Sequence, residues 1–141
     1  MENRITIITI REGIAENEAA LLWEQLLKLT EEGQQRLRQA MKDGRITFFL
    51  ALCGDHAVGM CSTAKCFSTF ACTDTGVFED FYMEPEFRRK GIAHMLAQAA
   101  QKWSRENGLA SMTVTCAPCD EGMYQALGFE LRLGTTFAHM G

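Results

Sequence analysis

The chain contains 141 residues, which corresponds to one domain that is long enough to bury a hydrophobic core. Hydrophobic residues make up 47% of it and charged residues 23%, proportions typical of a soluble globular protein. The formal net charge of −4 argues against a general nucleic-acid binder, because such a surface needs an excess of positive charge. No apolar run reaches the length of a membrane span, and the first residues do not resemble a signal peptide. We therefore expect a single cytoplasmic domain over residues 1–141, without a nucleic-acid or membrane partner.

The first part of the chain predicts a strand followed by two helices. Residues 5–10 are all β-branched and predict a strand. Residues 15–29 carry apolar side chains at the spacing of an amphipathic helix. Residues 30–33 interrupt this pattern, and a more polar helix is predicted over residues 34–42.

A β-hairpin is predicted next. Strands over residues 46–52 and 57–67 flank the turn Gly54-Asp55-His56. Small and polar residues predict a loop over 68–75. The six cysteines mostly lie in such apolar runs and, without a secretory signal, do not indicate a disulfide framework.

Residues 77–93 combine a strand, a proline stop, a basic loop and the start of a helix. Aromatic and β-favouring residues predict a strand over 77–83, which Pro85 ends because proline lacks a backbone donor. Three cations and a glycine then precede apolar residues at helical spacing. Cations at a helix N-terminus oppose the helix dipole, and a bound anion relieves this conflict. The stretch therefore predicts a phosphate-binding site, although a solvated helix start with an ordinary loop glycine is the alternative.

The last part of the chain predicts a strand, a short helix and one or two closing strands. The helix that starts near Gly91 ends at Asn107-Gly108, and alternation predicts a strand over 110–116. A loop over 118–122, a helix over 123–127 and strands over 129–133 and 135–140 complete the order β-α-α-β-β-β-α-β-α-β. This order indicates a mixed α/β (α+β) domain with a central sheet flanked by helices.

Two motifs resemble the GNAT acetyltransferase superfamily. Arg88-Arg89-Lys90-Gly91-Ile92-Ala93 fits its acetyl-CoA loop, Q/R-x-x-G-x-G/A, and Tyr124-Gln125-Ala126-Leu127-Gly128-Phe129 fits its later Y-x-x-x-G-F element. The order of elements is similar to a GNAT domain from end to end. The resemblance implies the GNAT fold, a mixed and mostly antiparallel sheet of six to seven strands flanked by about four helices. It also implies an N-acetyltransferase that transfers the acetyl group of acetyl-CoA to a primary amine by direct attack in a ternary complex, without a metal.

The resemblance also implies how acetyl-CoA is held. Backbone amides of the basic loop and the helix start would bind the pyrophosphate, with the cations adding charge, and backbone groups at the strand end would bind the pantetheine arm. The implied cofactor-binding residues are Phe81, Tyr82, Met83, Arg88, Arg89, Lys90, Gly91, Ile92, Ala93 and His94. Many members carry an asparagine seven residues before the tyrosine, where this chain has Ala117, and nearby Asp120 is a candidate substitute.

The candidate catalytic residues are Tyr124, Glu79 and Asp80. Tyr124 is similar to the tyrosine that protonates the departing thiolate in many GNAT enzymes, and its alternative role is a packed aromatic. A carboxylate would deprotonate the ammonium form of the acceptor. The run Glu79-Asp80-Phe81 resembles spermidine/spermine acetyltransferases, where the glutamate is the proposed base. Aminoglycoside 3-N-acetyltransferases instead have an aspartate at the position of Asp80.

Glu79 is therefore our first candidate for the base and Asp80 the second. Strand alternation groups Glu79 with Phe81 and Met83, and Asp80 with Phe78 and Tyr82, unless a bulge shifts the faces. The acceptor, a small molecule or a protein amino group, stays open, and so does a homodimer. A CoA-binding sensor without catalysis and an α+β domain without a CoA site are the alternative functions.

Overall fold

The computed structural model describes residues 4–10, 16–25 and 27–141. Its helices and strands are β1 Ile5–Thr9, α1 Glu16–Gln25, α2 Glu31–Lys42, β2 Ile46–Cys53, β3 His56–Ser68, β4 Thr73–Met83, α3 Ile92–Glu106, β5 Met112–Thr113 and α4 Glu121–Ala126. Short 3₁₀ turns lie at Pro85–Phe87, before α3, and at Pro118–Asp120, before α4. Ala15 and Leu26, which belong to the first predicted helix, lie outside the described residues.

The described strands form one sheet in the order β1-β2-β3-β4-β5. The first three pairings are antiparallel, and β5 joins β4 in parallel. The hairpin between β2 and β3 turns at Gly54, whose φ of 62° lies in the left-handed region that favours glycine. The predicted mixed α/β domain with a mostly antiparallel sheet is thus confirmed.

Helices cover both faces of the sheet. On one face, α3 buries Ile92, Leu96 and Ala100 against a cluster that contains Phe49 and Phe78. On the other face, α1 buries residues that include Ala19, Leu22 and Trp23 against the opposite side of β2 and β3. Fully burying a large apolar side chain contributes about 1.5–3 kcal/mol, so these two clusters hold the helices on the sheet.

Helix α2 begins three residues before its predicted start. Thr30 is its N-cap, since its Oγ1 accepts a hydrogen bond from the Gly33 N–H at 3.1 Å. Glu31 and Glu32 lie in the first turn, where negative charge stabilises a helix. We interpreted residues 30–33 as an interruption between two helices, and this prediction was wrong because residues 31–33 belong to α2.

The strands β3 and β4 are longer than predicted. Beyond the irregularity between Met60 and Ser62, their ladder runs without interruption to the pair between Ser68 and Thr73. The predicted loop over residues 68–75 therefore shrinks to a turn over residues 69–72. Polar residues extend these strands because each backbone group finds a cross-strand partner, whatever the side chain.

The C-terminal part of the sheet is smaller than predicted. Of the predicted strand 110–116, only Met112–Thr113 is a strand, and the two closing strands at 129–133 and 135–140 are absent. The described sheet therefore has five strands instead of six to seven. A strand needs a neighbouring edge for its backbone groups, and residues 130–141 find none among the described residues.

The described residues include no helix that is long and apolar enough to cross a membrane. Across these same ranges all six cysteines are free thiols. No group of three or more potential metal ligands occurs in them either.

Candidate functional site

The strands β4 and β5 pair over a short length and then separate. Their ladder consists of the pairs Gly76–Met112 and Val77–Thr113. Beyond these pairs β4 continues to Met83, whereas the chain after β5 turns into α4. A cavity of about 280 Å³ lies where the two strands separate, lined by Val77, Phe78, Glu79, Asp80, Phe81, Val114, Thr115 and Tyr124. All three predicted catalytic residues therefore line one cavity.

A β-bulge in β4 determines the direction of the two carboxylates. Met60 pairs with Tyr82 but Ser62 pairs with Glu79, so one residue of β3 faces two of β4. Asp80 has a φ of 55°, a left-handed conformation that aspartate tolerates better than most residues.

The bulge also shifts the side-chain faces. Phe81 and Phe78 pack together with ring centroids 5.7 Å apart, and Met83 belongs to the same core cluster. Tyr82 lies against the opposite cluster. The predicted grouping of Phe78 with Tyr82 by simple alternation was therefore wrong, because the extra residue reverses the alternation from Phe81 onwards.

Asp80 is held by a buried serine. Ser62 Oγ, on a side chain with 0% exposure, donates a hydrogen bond to Asp80 Oδ2 at 2.7 Å. Asp80 is half-buried, whereas Glu79, which lines the same cavity, is exposed. Sequence reasoning missed Ser62, and its signal was a small polar residue between apolar residues of a buried strand.

The charge of Asp80 affects the pKa of a buried cysteine in the neighbouring strand β3. Burial raises the pKa of the adjacent Cys61 thiol, and the nearby Asp80 carboxylate raises it further. Cys61 is fully buried, and its thiol points towards the Leu96 carbonyl at 3.9 Å. The thiol is therefore a neutral packing group, not a nucleophile.

Tyr124 lies in an aromatic cluster beside the cavity. Its ring centroid is 6.1 Å from that of Phe81, 6.5 Å from that of Phe78 and 6.2 Å from that of Phe129. The cluster depends on Gly128, whose φ of 107° lets the chain turn so that Phe129 packs on Phe78. This arrangement is the structural basis of the Y-x-x-x-G-F motif.

The environment of Tyr124 keeps its hydroxyl protonated. Burial raises the pKa of the phenol, and the negative charges of Asp120 and then Cys116 raise it further. A phenol with a raised pKa retains its proton at neutral and mildly alkaline pH, as a proton donor must. Asp120 thus lies near the tyrosine, while Ala117 is exposed at the preceding 3₁₀ turn.

The N-terminus of α3 presents unpaired backbone donors. Arg89 and Gly91 have positive φ values of 62° and 80°, and these two left-handed residues turn the loop before the helix. The N–H groups of residues 89–94 donate no hydrogen bond to any other described residue. The helix has no side-chain cap and no acidic residue in its first turn, in contrast to α2. Unpaired N–H groups at the positive end of a helix dipole are a feature that favours an anion.

The cations of the loop differ in their contacts. Arg88 Nε donates to the Met83 carbonyl at 3.1 Å, so this side chain ties the loop to the end of β4. Lys90 Nζ lies 5.5 Å from the centre of the Phe87 ring. Arg89 is exposed beside the unpaired N–H groups. Arg89 and Lys90 are thus the cations that remain available to an anion.

Comparisons with known proteins identify the family of the chain. The model of the acetyltransferase (GNAT) family matches residues 16–129. Over 55 residues the chain is 34% identical to aminoglycoside N(6')-acetyltransferase type 1 of Salmonella typhimurium. The matched stretch covers 37% of this chain and 38% of that protein.

Two solved structures show how widely the fold is shared. An aminoglycoside acetyltransferase from an uncultured soil metagenomic sample, in complex with trehalose, is 15% identical with a TM-score of 0.82, over 99% of this chain and 97% of that one. AAC(6')-Iy in complex with the bisubstrate analogue CoA-S-monomethyl-acetylneamine is 20% identical with a TM-score of 0.81, over 98% of this chain and 99% of that one. At such identities the likeness shows the fold alone.

The chain belongs to the GNAT acetyltransferase family, since the family model covers most of its length and includes both motifs. The prediction made from the basic loop and the Y-x-x-x-G-F element is thereby confirmed.

Proposed function

We propose that this protein is an N-acetyltransferase that transfers the acetyl group of acetyl-CoA to a primary amine of a small polyamino compound. The observation that carries the proposal is the cavity between β4 and β5, where Asp80 and Tyr124 line the same space. Membership in the acetyltransferase family supports the reaction type.

The residues of the chain fit acetyl-CoA. The unpaired N–H groups of residues 89–94 suit the pyrophosphate, with the side chains of Arg89 and Lys90 nearby. The separation of β4 from β5 leaves backbone groups of Phe81 and Tyr82 available to the pantetheine arm in a strand-like pairing. Met83 contributes less, since its carbonyl already accepts from Arg88.

Acetyl-CoA supplies an activated acetyl group as a thioester. Asp80 takes a proton from the ammonium form of the acceptor and so frees the nitrogen lone pair for attack on the thioester carbonyl carbon. Tyr124 donates its phenolic proton to the sulfur as the carbon–sulfur bond breaks. The C–N bond replaces the C–S bond, and neither step requires a covalent bond to the protein.

We rank Asp80 above Glu79 as the base, which reverses the order suggested by the sequence. Asp80 is half-buried and oriented by the Ser62 hydroxyl, whereas Glu79 is exposed. A base needs a fixed position within reach of the proton that it removes. Glu79, an exposed carboxylate that lines the cavity, attracts the positive charge of the acceptor.

Two observations support a polyamino acceptor. The cavity is lined by two carboxylates, which favours a ligand with more than one positive charge. The aminoglycoside N-acetyltransferase AAC(6')-Iy, which shares the fold, has been solved in complex with the bisubstrate analogue CoA-S-monomethyl-acetylneamine. An amino group of a protein is the second candidate, which the same assay distinguishes.

The proposal is tested by measuring acetyl transfer to a panel of aminoglycosides, polyamines and peptides, with acetyl-CoA binding followed by calorimetry. We expect Asp80→Asn and Tyr124→Phe each to lower kcat by about 10²–10⁴-fold, the usual contribution of a general acid or base, while acetyl-CoA still binds. Asn tolerates the left-handed conformation of Asp80, so the bulge should persist. Asp74→Asn, in the same strand but outside the cavity lining, is the control and should retain activity.

The outcomes separate the alternatives. Binding of acetyl-CoA without turnover of any amine would favour a non-catalytic sensor. A larger loss for Glu79→Gln than for Asp80→Asn would make Glu79 the base. An absence of acetyl-CoA binding would refute the proposal as a whole.

A further inference from the structure

Helix α4 carries Tyr124 but is too short to hold this residue in place by itself. The helix spans six residues, Glu121–Ala126, and none of them is buried. Isolated helices shorter than about 12–15 residues are marginal in water, because few hydrogen bonds offset the cost of forming the first turn. The position of Tyr124 therefore depends on contacts between α4 and the rest of the protein.

One of these contacts comes from a side chain of α3. Gln101 Nε2 donates a hydrogen bond to the Leu127 carbonyl at 2.9 Å, across twenty-six positions of the chain. Leu127 is the C-cap of α4 and is 7% exposed. The last carbonyls of a helix have no partner within the helix, so Gln101 supplies an external donor to one of them. This hydrogen bond ties the C-terminal end of α4 to α3.

Gly128 leaves the space that this hydrogen bond needs. A side chain at position 128 would bring its Cβ to 2.9 Å from Gln101 Nε2 and to 3.3 Å from Gln101 Oε1. The first of these distances is too short for two atoms that are not bonded. The glycine of the Y-x-x-x-G-F element is therefore matched to Gln101 as well as to the positive φ of the turn.

The backbone connects this contact to Tyr124. The Tyr124 carbonyl accepts hydrogen bonds from the Leu127 N–H at 3.1 Å and from the Phe129 N–H at 3.0 Å. The two N–H groups lie on either side of the carbonyl that Gln101 holds. A shift of this turn would therefore move the backbone of Tyr124, and the phenol ring would move with it.

We propose that Gln101 is a positioning residue for acetyl transfer, because its hydrogen bond to Leu127 holds α4 against α3 and keeps the Tyr124 hydroxyl within reach of the thioester sulfur. This inference rests on the proposed function, in which Tyr124 is the proton donor. A general acid must lie within hydrogen-bond distance of the atom that it protonates, so a small displacement lowers the rate. The N-terminus of α3 is the candidate pyrophosphate site, and Gln101 therefore fixes the proton donor to the helix that binds the cofactor.

The proposal is tested by comparing Gln101→Met with the matched control Gln98→Met. Methionine is similar to glutamine in length but has no N–H donor, and Gln98 is an exposed residue nearly one turn earlier in α3. Gln101→Met should lower kcat for the amine by about two- to tenfold, the loss expected for one neutral hydrogen bond. Calorimetry should give an unchanged affinity for acetyl-CoA. Gln98→Met should retain the wild-type kcat.

Two further measurements separate positioning from a general effect on the structure. In a Tyr124→Phe background, Gln101→Met should cause no further loss of kcat, because the hydroxyl that it positions is already absent. Hydrogen exchange needs no substrate and should be faster at the Leu127 and Phe129 amides of Gln101→Met than in wild type, because both amides donate to Tyr124.

Three results would refute the positioning role alone. These are a wild-type kcat in Gln101→Met, a loss of acetyl-CoA affinity as large as the loss of kcat, and a loss that multiplies with that of Tyr124→Phe. If Gln101→Met does not fold, Gln101→Ala replaces it with the same expectations, since it brings no new side chain against Gly128. If wild type acetylates no amine, the proposed function fails and the role of Gln101 fails with it.

Discussion

The buried hydrogen bond between Ser62 and Asp80 leads to a quantitative prediction for Ser62→Ala. Ser62 Oγ donates to Asp80 Oδ2 at 2.7 Å from a fully buried position. A hydrogen bond to a charged group contributes about 1.5–3 kcal/mol. If this energy holds the carboxylate in place during transfer, its loss lowers kcat/KM for the amine by about tenfold to a hundredfold, since 1.36 kcal/mol corresponds to a factor of ten.

The assay is steady-state acetyl transfer at saturating acetyl-CoA, with kcat and KM for the amine measured separately. In Ser62→Ala the carboxylate loses the donor that orients it, so kcat should fall while the affinity for acetyl-CoA stays unchanged. A general loss of structure would weaken acetyl-CoA binding as well. The melting temperature of the variant shows whether the fold has changed.

Ser104→Ala is the matched control. Ser104 is 5% exposed, and its hydroxyl has no hydrogen-bond partner among the described residues. Removing this hydroxyl should leave kcat and kcat/KM unchanged. Equal activity of Ser62→Ala and wild type would refute the reasoning that Ser62 positions the base.

Two further predictions concern stability. Because burial raises the pKa of the Cys61 thiol, the unfolded chain loses a proton above about pH 8.5 that the folded chain keeps, so stability falls as pH rises. Urea titrations between about pH 8 and pH 10 should show that the free energy of unfolding falls more steeply in wild type than in Cys61→Ala, by up to about 1.4 kcal/mol per pH unit. The control Cys72→Ala, which changes an exposed thiol, should keep the wild-type slope. Parallel slopes in all three proteins would contradict this prediction. Thr30→Ala removes the N-cap of α2 and should lower the free energy of unfolding by about 1 kcal/mol. Its melting temperature should therefore be lower than that of the control Thr69→Ala, which lies in the turn between β3 and β4. Equal melting temperatures would mean that the cap does not stabilise the fold.

Local signals predicted most elements of the fold. The β-branched run of β1, the hairpin at Gly54 and the amphipathic spacing of α3 each depend on neighbours in sequence. The missed start of α2 was also local, because Thr30 followed by Glu31 and Glu32 is a cap pattern. The closing strands at 129–133 and 135–140 were predicted from alternation, which specifies an amphipathic strand but not the edge that it pairs with.

Two short motifs were sufficient to predict the family. Arg88 to Ala93 and the Y-x-x-x-G-F element are short contiguous patterns whose geometry follows from glycine positions and from the start of a helix. Contiguous residues carry their own geometry, so no other part of the chain is needed to interpret them.

Only the tertiary structure decided how the carboxylates are presented. The bulge at Asp80 arises from the register between β3 and β4, and Ser62 reaches Asp80 across eighteen positions of the chain. The register between two strands is set by the packing of both faces of the sheet, which no window of sequence contains. For this physical reason the sequence predicted both Glu79 and Asp80 as candidate bases. That Asp80 is more buried and accepts a hydrogen bond from Ser62 follows only from the position of β3 beside β4.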